Sequence, residues 1–239
     1  MTVGRDGAGS PDGPLRVLLV LTYYRPHTSG LTIYVERLAR SLARRGHAVT
    51  VLTSRHDRSL PRTEREQGVE IVRAPVVAGI SKGVVMPSFG LLASRLVPRH
   101  DVVSLHLPQL DAAGVGLRSR LLGRPSVVTY HCDLRLPAGI LNRIADRVIQ
   151  LSHRMALRLA DRVVTYTRDY ADHSPVLQRV LDRLVIIPPP VEMAAPEPDR
   201  TTALRTRLGL RRRLAVHHGL GGSRCRPCRR LHEATQTDL

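Results

Sequence analysis

The segment Leu15–Thr22 (LRVLLVLT) is apolar almost throughout, without the alternation of a strand that has one wet face. Such a run must be buried on both sides. That is the condition of an inner strand in a parallel sheet with helices on both faces. The next residues fit that setting. A polar loop, YYRPHTSG, leads into Leu31–Arg45, where Ile33, Leu38 and Leu42 and, beside them, Val35 and Ala39 recur at helical spacing against Glu36, Arg37, Arg40 and Arg44. Gly46 sits where a C-cap glycine belongs, and Ala48–Thr53 (AVTVLT) is the next strand, completing one βαβ unit.

The pattern repeats down the chain. Val69–Arg73, Asp101–His106, Ser126–His131, Arg162–Tyr166 and Leu184–Ile187 read as strands. Pro87–Val97, Leu110–Leu122 (closed by Gly123), Gly139–Ala160 and Ser174–Leu181 read as helices. Alternation of this kind predicts an α/β fold with a doubly wound, Rossmann-like parallel sheet over residues 15–191. Residues 1–14 are polar and Gly-rich with no apolar stretch of the signal-peptide kind, and are expected to be disordered. Pro188–Pro190 stops the regular pattern, and residues 192–210 read as a linker and the remnant of a second domain. From Arg211 to Leu239 no period survives, and this Arg-rich tail reads as translation in a shifted frame.

Charge bears on partners. The net charge is +17, built almost wholly from arginine, with Lys82 the sole lysine. The tail supplies seven Arg against Glu233 and Asp238, so the ordered part is still strongly basic and favours phosphate groups or anionic lipid. Nucleic acid is disfavoured as a partner, because no recognition motif or cluster of stacking aromatics accompanies the charge. Cys132, Cys225 and Cys228 make no disulfide framework, which suits a reducing cytoplasm. Cys225-x2-Cys228 with His217, His218 and His232 matches known zinc spacings poorly, so no metal site is expected.

Ligands of open parallel sheets bind beyond the carboxyl ends of the strands. Three segments there carry suitable residues. Ser29 and Gly30 precede the first helix, where glycine admits close approach and the helix N-terminus offers N–H groups; plain turn chemistry is the competing reading. His131 and Asp133 follow the fifth strand, able either to orient a sugar hydroxyl and stabilise developing positive charge or to act as a strand-end His with a capping Asp. His106, on the neighbouring strand, reads as structural. Thr167 and Asp169 follow the sixth strand; Thr167 is a substrate-binding candidate, although a helix cap is the simpler role. On the long helix, Ile140, Ile144, Val148, Leu151, Met155 and Leu159 form an apolar stripe, and Arg143, Arg147, Arg154 and Arg158 lie along another face. That basic face suits an anionic membrane surface, and equally a solvated side of a core-packed helix.

In chain order, PHTSGLTIYVERLARSLARRGHAVTVLTS, YHCDL, ADRVVTYTRDYADHS and LVIIPPPV resemble the retaining GT-B glycosyltransferases of the glycosyltransferase 4-like group. The resemblance spans Leu15 to Val191. It implies the acceptor-side, N-terminal half of a two-domain enzyme that moves a sugar from a nucleotide-sugar to a hydroxyl acceptor with retention. No metal or other cofactor is implied. It also implies roles: Gly30 near the donor diphosphate and acceptor, His131 beside the reacting sugar, Asp133 as the acid after it, and Ile187–Val191 as the hinge into a nucleotide-binding domain. The expected acceptor is a lipid-linked or other envelope glycan, the lipid part resting on the basic helix face, and the expected location is cytoplasmic or peripheral on the inner face of the plasma membrane. Two departures are small: Ser29-Gly30 stands where two glycines are common, and Cys132 where glycine is usual. A larger one is that no Glu-x7-Glu pair follows the hinge. The chain alone is therefore expected to be inactive or weakly active; the alternative is a non-catalytic acceptor-binding module completed by a separately encoded C-terminal domain.

Overall fold

Strand β1 (Arg16–Val20) lies at the middle of the sheet, with Val17, Leu18, Leu19 and Val20 all buried. Its residues divide between two cores: Leu18 and Val20 face one side, Val17 and Leu19 the other. A strand apolar on both sides is thus satisfied by helices on both sides. The structure is a computed structural model describing residues 13–80, 83–134, 139–191, 202–203 and 206–207. It falls into two units, 1–190 and 191–239. In the second, 202–203 and 206–207 are helical, and the Thr206 hydroxyl donates to the Thr202 carbonyl at 3.0 Å. Segment 192–200 and the tail Arg211–Leu239, with Cys225 and Cys228, lie outside the described residues, as do residues 1–12.

In the first unit, helix α1 (Gly30–Arg44) leads to β2 (Ala48–Arg55), then β3 (Thr63–Glu66) and β4 (Val69–Pro75). The hairpin β5 (Ala78–Ile80) and β6 (Gly83–Val85) precedes α2 (Phe89–Leu96), a 3-10 turn over Val97–Arg99, and β7 (Val102–Leu107). Then come α3 (Ala112–Leu121), β8 (Ser126–Tyr130), α4 (Ile140–Leu159), β9 (Arg162–Thr165), α5 (Arg168–His173), two 3-10 turns and β10 (Leu184–Ile186). The sheet order is β10-β9-β8-β7-β1-β2-β4-β3, parallel except for β3. From β1 the chain builds outward through β2 to β4, then returns to the other side of β1 and builds outward again through β7. The order reverses between β1 and β7. In such sheets that switch point opens a crevice beyond the strand ends.

Helix α1 packs Tyr34, Val35 and Ala39 on one face of the sheet. On the other face Phe89 and Ala93 of α2, Val115 of α3 and Ala156 and Leu157 of α4 join one core. Gly46, at φ +86°, ends α1 as its sequence position predicts, its N–H donating to Ala43.

The structure departs from the sequence expectation in four places. The edge strand β3 has the sequence TERE and no apolar side to betray it; it pairs with β4 through a two-residue turn, Gln67-Gly68, with φ of 49° and 81°. The β5–β6 hairpin was likewise unexpected. Where a helix is expected over Ser174–Leu181 the structure has a 3-10 turn, Leu177–Arg179, and the α-helix comes earlier, at Arg168–His173, capped by Thr167 after β9 and ended where Ser174, before Pro175, turns inward. The orientation of α4 also differs. Its stripe of Ile144, Val148, Leu151 and Met155 faces outward, and Ser152, His153, Ala156 and Leu157 are buried instead. Close approach to α3 decides this. A Cβ on Gly116 would lie 3.6 Å from the Ala156 Cα, and Ser152 Oγ accepts from the Ala113 N–H at 3.1 Å while donating to the Leu110 carbonyl at 2.6 Å. Small residues that allow tight contact, together with a satisfied hydroxyl, win over the larger apolar stripe.

Candidate active site

At the carboxyl ends of β7, β8 and β9, next to the switch point, four rings meet. His106 comes from β7, His131 follows β8, Tyr166 follows β9, and Tyr34 reaches in from the first turns of α1. Tyr34 meets His131 edge-on with centroids 4.9 Å apart, and lies 5.8 Å from His106 and 5.6 Å from Tyr166. His131 is 5.4 Å from both His106 and Tyr166.

A continuous hydrogen-bonded chain runs through them. The Tyr166 hydroxyl meets His131 Nδ1, His131 Nε2 lies 3.1 Å from His106 Nδ1, and His106 Nε2 lies 3.3 Å from Ser104 Oγ. Burial pushes the His131 imidazole down to about 4. His106 is fully buried and held well below 6.5, first by burial and then by His131. Both rings are therefore neutral near pH 7, each with one N–H and one acceptor nitrogen. The chain is consistent in all three bonds if Tyr166 donates to His131, His131 to His106 and His106 to Ser104, or with all three reversed, leaving one terminal hydroxyl proton free to bond elsewhere. Burial also raises the phenols of Tyr34 and Tyr166, so neither ionises at neutral pH.

The first loop sits across the crevice from these strands. Ser29 is the N-cap of α1: its Oγ accepts from the Thr32 N–H at 3.2 Å. Gly30 opens the helix, and a Cβ there would meet no atom within 4 Å, so the space over the helix end is free. The loop is held from several sides. Thr32 Oγ1 donates to the Tyr23 carbonyl at 3.2 Å, Arg25 pairs with Glu36 at 2.5 Å, and Thr22 Oγ1 donates across the switch point to the Pro108 carbonyl at 3.4 Å. Tyr23, His27 and His56 cluster above it with centroids 4.7 to 5.8 Å apart.

Asp133 is placed differently from His131. Its carboxylate accepts from Tyr130 at 2.6 Å, Tyr170 at 3.1 Å and Ser174 at 3.5 Å, tying the segment after β8 to α5. Thr167 Oγ1 accepts from the Tyr170 N–H at 3.2 Å as the N-cap of α5. Sequence reasoning singled out His131, which the strand order brings to Tyr34, His106 and Tyr166, and Ser29 and Gly30 at the start of the helix that carries Tyr34; it did not single out Tyr34, and it read His106 as structural. A helical signal existed for Tyr34: it lies one turn past Gly30, on the side that must face the strand ends. Arg143, Arg147, Arg154 and Arg158 are exposed along α4 and take no part in the ring cluster.

Known proteins match most of this chain. Residues 29–190 match the family model described as a glycosyl transferase 4-like domain. The chain is 31% identical to a D-inositol 3-phosphate glycosyltransferase of Acidothermus cellulolyticus, covering 85% of this chain and 50% of that protein. It is 30% identical to a protein of the same description from Xylanimonas cellulosilytica, with coverage of 76% and 48%. The chain thus spans about half the length of these relatives. Among solved structures, an alpha,alpha-trehalose 6-phosphate synthase from Burkholderia multivorans aligns at a TM-score of 0.38 and 9% identity, over 71% of this chain and 42% of that one.

Proposed function

We propose, because this chain belongs to the glycosyl transferase 4-like family, that it forms the acceptor side of an enzyme transferring a sugar from a nucleotide-sugar to a hydroxyl of a lipid-linked or other glycan acceptor. The observation that carries this reading is the neutral His131, held at the strand ends among His106, Tyr166 and the Tyr34 ring of α1. A neutral imidazole accepts a hydrogen bond from a sugar hydroxyl, or donates one to it, without adding positive charge beside a sugar carbon that is itself becoming positive. Both His131 nitrogens already hold partners, so a hydroxyl enters by replacing one of them. Tyr166, partly exposed at the rim, is the replaceable one; His106 is sealed behind.

In this reading Ser29 and Gly30 lie beneath the phosphate-bearing part of the donor, at the helix end where N–H groups and the dipole favour anions. Asp133 keeps the His131 segment in place through Tyr130 and Tyr170, and Thr167 does so through α5. The greater part of the donor site belongs to a second domain, so that residues 13–191 hold the acceptor and only one edge of the donor.

The test is a pair of titrations on the chain. Calorimetry with UDP- and GDP-sugars is expected to show no micromolar binding. Ring nitrogen resonances of His131 and His106 are expected to move together when a glycan acceptor is added. Micromolar donor binding overturns the division between the two halves. Acceptor binding that leaves the His131 resonances unmoved overturns the assignment of the site.

A further inference from the structure

On helix α4, Ile144, Val148, Leu151 and Met155 are 56, 51, 58 and 41% exposed. Their spacing places them in one line along the helix. Arg143, Arg147 and Arg154 each stand one residue before a member of that line, and Arg158 continues their row, so guanidinium groups run parallel to the apolar line along one of its sides. The helix has a single acidic residue, Asp146, whose Oδ1 is buried. Its exposed side is thus half apolar, half cationic, and free of carboxylates.

A packed globular domain gains nothing from four large apolar side chains left in water over three turns of helix. The opposite side of α4 already makes the tertiary contacts, through Ser152, His153, Ala156 and Leu157. We propose that α4 docks on an anionic phospholipid surface, with Ile144, Val148, Leu151 and Met155 entering the acyl boundary and the arginine row lying among the headgroup phosphates. No helix among the described residues is long and apolar enough to cross a membrane, so α4 lies in the plane of the interface. Charge chooses lipid over a second copy of the chain. A symmetric pairing of two such faces sets arginine row near arginine row with no carboxylate to neutralise either, whereas anionic headgroups supply what the face lacks.

The chain has no tryptophan, so Leu151→Trp introduces a single indole on the docking face. Mixed with phosphatidylcholine vesicles containing phosphatidylglycerol, the variant is expected to show a blue-shifted indole quenched by brominated acyl chains. Without phosphatidylglycerol the shift is expected to be small. Replacing Arg147 and Arg154 by glutamine weakens binding about 30-fold at low salt, and the loss shrinks as salt rises. Thermal melts check that both sets of exposed substitutions leave the fold intact. Sedimentation with vesicles while the indole stays unshifted and unquenched overturns the proposal, because another basic surface, including residues 211–239, is then the one that binds. An indole already blue-shifted without lipid, in a chain that sediments as a dimer, overturns it in favour of self-association. Absence of any vesicle binding overturns it outright. No donor or acceptor is present, so these outcomes are independent of the proposed sugar transfer.

Discussion

Acidification reads the electrostatic state of the ring cluster directly. His131 and His153 each sit at about 4 rather than 6.5, in both cases first because burial disfavours the imidazolium. Through the interval between those values the unfolded chain binds protons that the native chain refuses. Their stabilisation is therefore complete above 6.5 and is lost as pH falls toward 4. At about pH 5 each ring costs about 2 kcal/mol, together a large share of the roughly 5–15 kcal/mol that stabilises an ordinary domain. His106, His56 and His100 act in the same direction. His173, raised mainly by the Asp169 backbone and carboxylate, acts oppositely but is exposed. Asp57 and Asp101 are held below 3.8 by hydrogen bonds and stay ionised throughout. The assay is urea unfolding by circular dichroism at about pH 7.5 and about pH 5 at fixed ionic strength, with the midpoint falling and the slope unchanged. His153→Gln, which keeps an acceptor for the Gln109 N–H, should remove its ring's part of the pH dependence. A midpoint that stays level between the two pH values refutes the argument that these rings are buried neutral.

Glu64→Ala strands the Arg73 guanidinium, which is 1% exposed, and should cost about 2–4 kcal/mol in chemical unfolding; adding Arg73→Met should recover most of that loss. Gly116→Ala places a methyl at ordinary contact distance from α4 and should raise the thermal midpoint through helix propensity worth up to about 1 kcal/mol, whereas Gly116→Leu should lower it by about 1–3 kcal/mol as α3 and α4 are forced apart. Asp133→Ala leaves the buried Tyr130 hydroxyl without its partner and should cost about 1–3 kcal/mol in the same measurement, while Asp133→Asn, which keeps an acceptor, should cost less.

Legibility in the sequence tracks how local an interaction is. β1, β2, β7 and β8 announced themselves because a strand covered on both faces is mostly apolar, with only short runs of polar residues that find buried partners, and LRVLLVLT shows this most clearly. Two caps were legible for the same reason: Thr167 and Gly46 act on backbone groups within a few residues of themselves, whereas the capping role of Ser29 came from the structure. Edge strand β3 was not, since its pairing is purely backbone and TERE is what a solvated edge tolerates. The direction of α4 was not either. Periodicity locates a stripe but does not say whether a neighbour prefers it to a row of small residues, and Gly116 on α3 settled that from elsewhere in the chain. The ring cluster was half legible. His131 stood out as a polar residue closing an apolar strand, but its meeting with Tyr34, His106 and Tyr166 joins four segments that only the strand order brings together.

That cluster bears on where phosphate is held. The chain is strongly basic, yet its crevice contributes little positive charge. His106 and His131 are neutral near pH 7, Arg25 is paired with Glu36, and Arg73 is paired with Glu64. Among the described residues, the N-terminus of α1 is the anion-favouring feature of this crevice, worth about 0.3–1 kcal/mol for a negative charge at an exposed helix end and up to about 2 when partly buried. Donor affinity in the micromolar range corresponds to about 8 kcal/mol, several times what that helix end provides. The shortfall supports assigning the donor's phosphates chiefly to the other half of the proposed enzyme. In the proposed transfer a neutral crevice has its own use: beside a sugar carbon gaining positive charge, an unpaired cation raises the barrier, whereas a neutral imidazole held between a phenol and a second imidazole does not.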